Sequence, residues 1–275
     1  MIKKFLYITL IFCSLAINAQ HSGVIIIVHG TWGIDSPWCK PGGEFFDALE
    51  KSAQHFNKKV ISYMWPGYLN HESREVAARG LVKIIQSYPT DMNITLVAHS
   101  HGGNVSILAS QLMENDPNNK HTIDALYAIA TPVNAAFYQP NMKIIKKLYN
   151  LFSFADRVQP VLGIFGRIFP NHPHIANLRL VLDGKEPGHI EFCTSLTAQW
   201  LPYIHEKLSQ ENIGKFQYFN FTLPGIIYLS SNANPLYSVD VQRKALLEKD
   251  RMVIEDLFNT MARKNKLNNN ADALL

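Results

Sequence analysis

Residues 93–104 read Asn93-Ile94-Thr95-Leu96-Val97-Ala98-His99-Ser100-His101-Gly102-Gly103-Asn104. Ile94 to Ala98 is a largely β-branched apolar run of strand length, and beyond the turn Val105, Leu108, Ala109 and Leu112 share one face of a helix. Ser100 stands at the tip of this turn from strand to helix, either as an ordinary turn serine or in strained backbone angles that lift its side chain clear of the sheet. Such a turn needs small residues two before and two after the tip, which Ala98 and Gly102 supply. Gly103 then lets the helix pack close, and the first helical N–H groups point at any negative charge forming near Ser100.

Outward from this turn, short apolar runs alternate with amphipathic stretches, the pattern of strands and crossover helices. Strands are expected at 24–28, 60–65, 94–98, 123–130, 148–154 and 178–182, and helices at about 43–56, 72–88 and 102–115. A further helix is expected from near Glu191, ended or kinked by Pro202. Together they predict an α/β fold: a doubly wound, mostly parallel sheet of about six strands with right-handed crossovers. Beyond about 212 the pattern changes to an aromatic stretch, an apolar run at 225–229 and a long charged helix at about 239–264, read as a helical appendage. The expected division is a leader at 1–19, a main domain at 20–211 and an extension at 212–275 packed on it.

The chain has 275 residues, 47% hydrophobic and 17% charged, enough to bury a sizeable core. Its start has Lys3 and Lys4, an apolar run of about a dozen residues and small Ala19, the features of a secretory leader, so export is expected. Loss of Lys3 and Lys4 leaves 24 basic residues against 22 acidic ones, a net charge of +2. That balance argues against a nucleic-acid partner, which requires a concentrated basic stripe.

The strand, the Ala98-His99-Ser100-His101-Gly102 turn and the helix resemble the nucleophile elbow of the α/β-hydrolase superfamily, whose pattern is Gly-x-Ser-x-Gly, with Ala98 for the first glycine. Val24 to Val28 running into His29-Gly30-Thr31-Trp32-Gly33 is similar to the oxyanion loop of lipases and esterases. The resemblance covers roughly residues 24–210. It implies Ser100 as nucleophile and the main-chain N–H groups of Thr31 and His101 as oxyanion donors, with Trp32 as the alternative to Thr31. His29 is read as a histidine that orders its turn. A serine needs a histidine to take its proton and a carboxylate to orient that histidine. In this superfamily the order is Ser, acid, His, which places the acid at Asp156 and the base at His189; Asp183 and Glu186, close to His189 in sequence, remain alternative acids.

The resemblance implies a serine hydrolase cleaving carboxylic esters, secreted if the leader is read correctly, with small-molecule or lipid esters as substrates and room for transient contact with a membrane or lipid surface. A thioesterase or amidase with the same residues, or a non-catalytic binding protein on the same fold, is the alternative. No phosphate-cradling glycine loop or dinucleotide fingerprint occurs, so no cofactor is expected. His172 and His174 lack ligand-spaced partners and are read as a solvated loop, not a metal site, and His99 as part of the pocket rim. The apolar residues of 158–169 are read as core or as an acyl pocket, and 131–142 falls where the superfamily commonly inserts lids or caps, of which any here should be small. Cys39 and Cys193 both fall on the active-site side, where a disulfide is hypothesised to tie the oxyanion loop to the histidine loop.

Overall fold

Why the first strand reads as an unbroken apolar run is plain from its place. In the computed structural model, β1 (Gly23–Val28) lies between β2 (Lys58–Tyr63) and β3 (Asn93–His99), and all six of its residues are buried. Val24, Ile26 and Val28 face one side with Leu96 and Ala98, while Ile25 and Ile27 face the other with Val97 and Tyr127. Helices α1 (Glu44–Gln54) and α4 (Ser195–Ser209) pack together over one face, and α2 (His71–Gln86) and α3 (His101–Asn115) over the other. A sheet covered on both faces needs strands apolar on both sides. The described residues are 21–134, 136–159, 166–170, 172–209, 217–218, 221–222 and 225–232. The leader at 1–19, the helix expected at 239–264 and residues 160–165 of the apolar segment lie outside them.

The sheet continues through β4 (Ala125–Ile129), β5 (Leu148–Phe152), β6 (Ile175–Leu182) and β7 (Gly225–Leu229), in the spatial order β2-β1-β3-β4-β5-β6-β7. Each of the six pairings is parallel. This is the doubly wound sheet expected, with one strand more. The seventh comes from beyond residue 211, where the sequence reading ends the main domain: Gly225–Leu229 pairs with Leu178–Leu182 and buries Ile227 and Leu229. The apolar run at 225–229 is therefore the sheet's edge strand.

Strand order reverses between β1 and β3, and in open parallel sheets ligands bind at the carboxyl ends of the strands beside such a reversal. The register Val28↔Ala98 brings the segment leaving β1 alongside Ser100. Gly102 lets the two meet, since a Cβ there would lie 2.3 Å from the Val28 carbonyl oxygen. Gly30 serves the same approach from the other side: its Cβ would lie 2.7 Å from that of Ser100.

One expectation at the far end of the site needs correction. Helix α4 begins at Ser195, not near Glu191, because Thr194 caps it: its Oγ1 accepts the Thr197 N–H (3.3 Å) and its carbonyl the Ala198 N–H (3.1 Å). It also runs through Pro202 to Ser209. Residues 131–142, where any cap should be small, hold no helix or strand among the described residues. Tyr138 pins the stretch to α2, its hydroxyl accepting from Arg74 Nε (2.7 Å) and bonding His71 Nδ1 (3.0 Å).

Candidate active site

Ser100 sits between β3 and α3 with φ 54° and ψ −131°, a conformation L residues rarely adopt, and its N–H donates to the Ile129 carbonyl (2.8 Å). The strain is held by packing on both sides, and the hydroxyl stands at the carboxyl edge of the sheet. His189 arrives from the loop after β6, its Nε2 3.0 Å from Ser100 Oγ. Its Nδ1 lies 2.8 Å from Oδ2 of Asp156, which follows β5 and is fully buried. A hydroxyl, an imidazole and a carboxylate from three crossovers thus form one hydrogen-bonded chain.

The carboxylate is held as an anion. Burial works against its charge, but the bonds from His189 and from the main-chain N–H groups of Gln159 (3.0 Å) and Val158 (2.8 Å) prevail and keep Asp156 below the ordinary carboxylate range. Both N–H groups bond Oδ1, leaving Oδ2 for the imidazole. The Asp156 carbonyl takes a further bond from Arg167 Nη2 (2.5 Å).

The alternative acids are engaged elsewhere. Asp183 Oδ1 accepts the Ser231 N–H (2.8 Å) and hydroxyl (3.2 Å), tying the end of β6 to the end of β7. Glu186 is ion-paired with Arg179 and accepts the Phe154 N–H (2.7 Å).

Among the described residues, no hydrogen bond engages the main-chain N–H of Thr31 or of His101. The Trp32 N–H, by contrast, is taken by the Gly67 carbonyl (2.9 Å). His29 is fully buried and stacked on Trp65, ring centroids 5.6 Å apart. Its Nε2 accepts the Trp65 main-chain N–H (3.1 Å), so Nδ1 carries the proton and donates to the Gly30 carbonyl (2.8 Å). Burial lowers its pKa and favours that neutral form.

The two histidines that flank Ser100 are both buried. His99 Nε2 bonds the His189 carbonyl (2.9 Å), with the two rings 4.8 Å apart and Trp38 edge-on to His99. Because the carbonyl only accepts, His99 is protonated at Nε2. Burial, then the neighbouring His189, drops its pKa to about 4. His101 Nδ1 accepts from Asn104 Nδ2 (3.0 Å), and burial followed by Arg74 brings it to about 4 as well. The His99 contact is not visible in the sequence, since it spans 90 residues, whereas His101 and Asn104 are neighbours on one helix.

The hypothesised disulfide is absent: Cys39 and Cys193 are both free. Cys39 Sγ donates within its own short turn to the Ser36 carbonyl (3.3 Å), and burial raises both thiols, that of Cys193 well above the ordinary range. The His172 and His174 pair lies at the other end of the sheet, where the His174 carbonyl accepts the N–H of Leu148 at the start of β5. Among the described residues no cluster of three or more His, Cys, Asp or Glu could hold a metal, and no helix is long and apolar enough to cross a membrane. A cavity of about 250 Å³ also opens at that amino-terminal edge, between Lys58, Thr95 and His205, on the side opposite Ser100.

Several large apolar side chains are exposed in the segments that follow the strands. Trp32 and Ile34 after β1, Tyr68 and Leu69 after β2, Phe137 after β4 and Ile190 after β6 are all exposed, Trp32 by 76% and Ile190 by 69%. In a parallel sheet these segments all leave the edge that carries Ser100.

No protein-family model matches the chain, and no curated protein does. Among solved structures it is similar to a serine hydrolase without lid from Xanthomonas campestris, at 13% identity and TM-score 0.45, over 69% of this chain and 82% of that one. A cutinase-like protein from Cryptococcus sp. matches at 11% identity and TM-score 0.43, over 70% and 94%. A metagenomic carboxyl esterase matches at 14% identity and TM-score 0.32, over 53% and 55%, so the chain spans about half of that protein's length.

Proposed function

We propose that the chain is an exported serine hydrolase acting on carboxylic esters through Ser100, His189 and Asp156. The carrying observation is the unbroken chain from Ser100 Oγ to His189 Nε2 (3.0 Å) and from His189 Nδ1 to the buried Asp156 (2.8 Å). His189 takes the hydroxyl proton as Oγ attacks the ester carbonyl carbon. Asp156 stabilises the imidazolium, and the N–H groups of Thr31 and His101 receive the oxyanion. Collapse expels the alcohol, which His189 protonates, and leaves an acyl group on Ser100. Water, deprotonated by His189, releases the acid and restores the hydroxyl. The leader-like residues 1–19 are the basis for export.

The apolar side chains exposed along the edge that carries Ser100 favour an ester with an apolar, lipid-like acyl part. A water-soluble polar ester would leave Trp32, Phe137 and Ile190 without a role, whereas an acyl chain of several methylenes gains about 0.8 kcal/mol for each one removed from water. Turnover of p-nitrophenyl esters from acetate to laurate, beside matching thioesters and anilides, tests the reading. Ester hydrolysis that rises with chain length and disappears in Ser100→Ala is expected. Faster cleavage of thioesters or anilides would replace the ester reading, and no turnover of any would remove the enzymatic one.

A further inference from the structure

The loop that brings His189 to the site carries a second link to the acid. It leaves β6 through Asp183 and Gly184, both at positive φ (44° and 80°), which reverse the chain at once. Three residues before His189, the Glu186 carboxylate reaches across to the neighbouring loop. Oε2 accepts the Phe154 N–H (2.7 Å) and the Ser153 hydroxyl (3.3 Å), two and three residues before Asp156. Oε1 accepts from Nε of Arg179 on β6 (3.0 Å) and from its Nη2.

The loop that receives this carboxylate is stiffened in turn. The Ser153 hydroxyl accepts the Ala155 N–H (2.9 Å). The Arg179 guanidinium lies 4.9 Å from the centre of the Phe154 ring, and that of Arg167 lies 5.9 Å from it while also bonding the Asp156 carbonyl. The segment before the acid is thus gripped from β6, from the histidine loop and from Arg167.

We propose that Glu186 is a positioning residue: by tying the histidine loop to the acid loop it holds His189 against Asp156 before substrate arrives. This rests on the triad reading above. Two loops joined only by the His189–Asp156 bond can part by loop motion, and a misplacement of about 1 Å costs on the order of a hundredfold in rate. The second tie removes that freedom. Burial opposes the charge on Glu186, but the bonds from Arg179 and from the Phe154 N–H prevail and hold it below the ordinary carboxylate range, so the tie persists across neutral pH.

A double-mutant cycle on the full chain tests this, with p-nitrophenyl ester turnover as readout. Glu186→Gln cannot accept from Arg179 and Phe154 at once without turning its amide N–H₂ toward one of them. It should lower kcat about 10–100-fold with KM within twofold, and weaken the far-downfield proton resonance of the His189–Asp156 bond. In an Asp156→Asn background the same change should cost less than threefold, because the geometry it protects is already without effect. An equal loss in both backgrounds, or a wild-type kcat with only a lower Tm, would overturn the proposal. If Glu186→Gln does not fold, Glu186→Asp, which keeps the charge but retracts it by one methylene, carries the same expectation. Failure of the triad reading is separately visible: wild type would then not react with an organophosphate, whereas failure of the positioning role alone leaves that reaction intact.

Discussion

Replacing Asp156 by Asn should nearly abolish turnover while leaving the fold in place, and the structure says why. Oδ1 accepts two main-chain N–H groups, from Val158 (2.8 Å) and Gln159 (3.0 Å). An asparagine must put its carbonyl oxygen there, since an N–H₂ facing two N–H donors leaves three donors without an acceptor in a fully buried site. The amide N–H₂ then faces His189 Nδ1, which has to become an acceptor. The imidazole proton moves to Nε2, aimed at Ser100 Oγ 3.0 Å away, where it blocks acceptance of the hydroxyl proton. A wrong tautomer of this kind costs about 10⁴-fold in kcat, roughly 5.5 kcal/mol of barrier. Steady-state hydrolysis of a p-nitrophenyl ester measures it, with thermal unfolding as a control that both N–H bonds survive. If Asp156→Asn retained activity within tenfold of wild type, the carboxylate would not orient the imidazole and the reasoning would fail.

Stability should fall as pH drops from about 6.5 toward 4. His99 and His101 have folded pKa values of about 4 against an ordinary 6.5, so the unfolded chain binds more protons throughout that window. Their stabilisation is complete above 6.5 and is lost as the pH falls toward the folded values, roughly 3 kcal/mol for each group. Thermal unfolding followed from pH 8 to 4 should show a shallower decline in His99→Gln; a Tm constant between pH 7 and 5 would contradict the buried neutral state. Alkylation of denatured, unreduced protein followed by peptide mapping should modify both Cys39 and Cys193, and protection of the pair would show that they are bridged.

The elements nearest Ser100 were legible because their signals are local. A β-branched strand, small residues at 98 and 102 and an amphipathic helix lie within about twenty residues, and each dictates its conformation without distant partners. The run from Val24 to Gly33 is legible for the same reason. Choosing among Asp156, Asp183 and Glu186 was not a matter of spacing: Asp183 is occupied by Ser231, 48 residues on, and Glu186 by Phe154, 32 residues back. The edge strand at 225–229 is a five-residue apolar run whose partner lies more than forty residues earlier, and so short a run does not declare its pairing. That both thiols are free, with Cys39 Sγ donating to the Ser36 carbonyl, is likewise something chain position does not reveal.

Covalent trapping of the nucleophile tests the central claim most directly. An organophosphate ester incubated with the folded protein should displace its leaving group at Ser100 Oγ and add one phosphoryl group per chain, mapped by peptide mass spectrometry to the segment holding Ser100 and missing in Ser100→Ala. Modification elsewhere in the chain, or no modification of a folded protein, would contradict it.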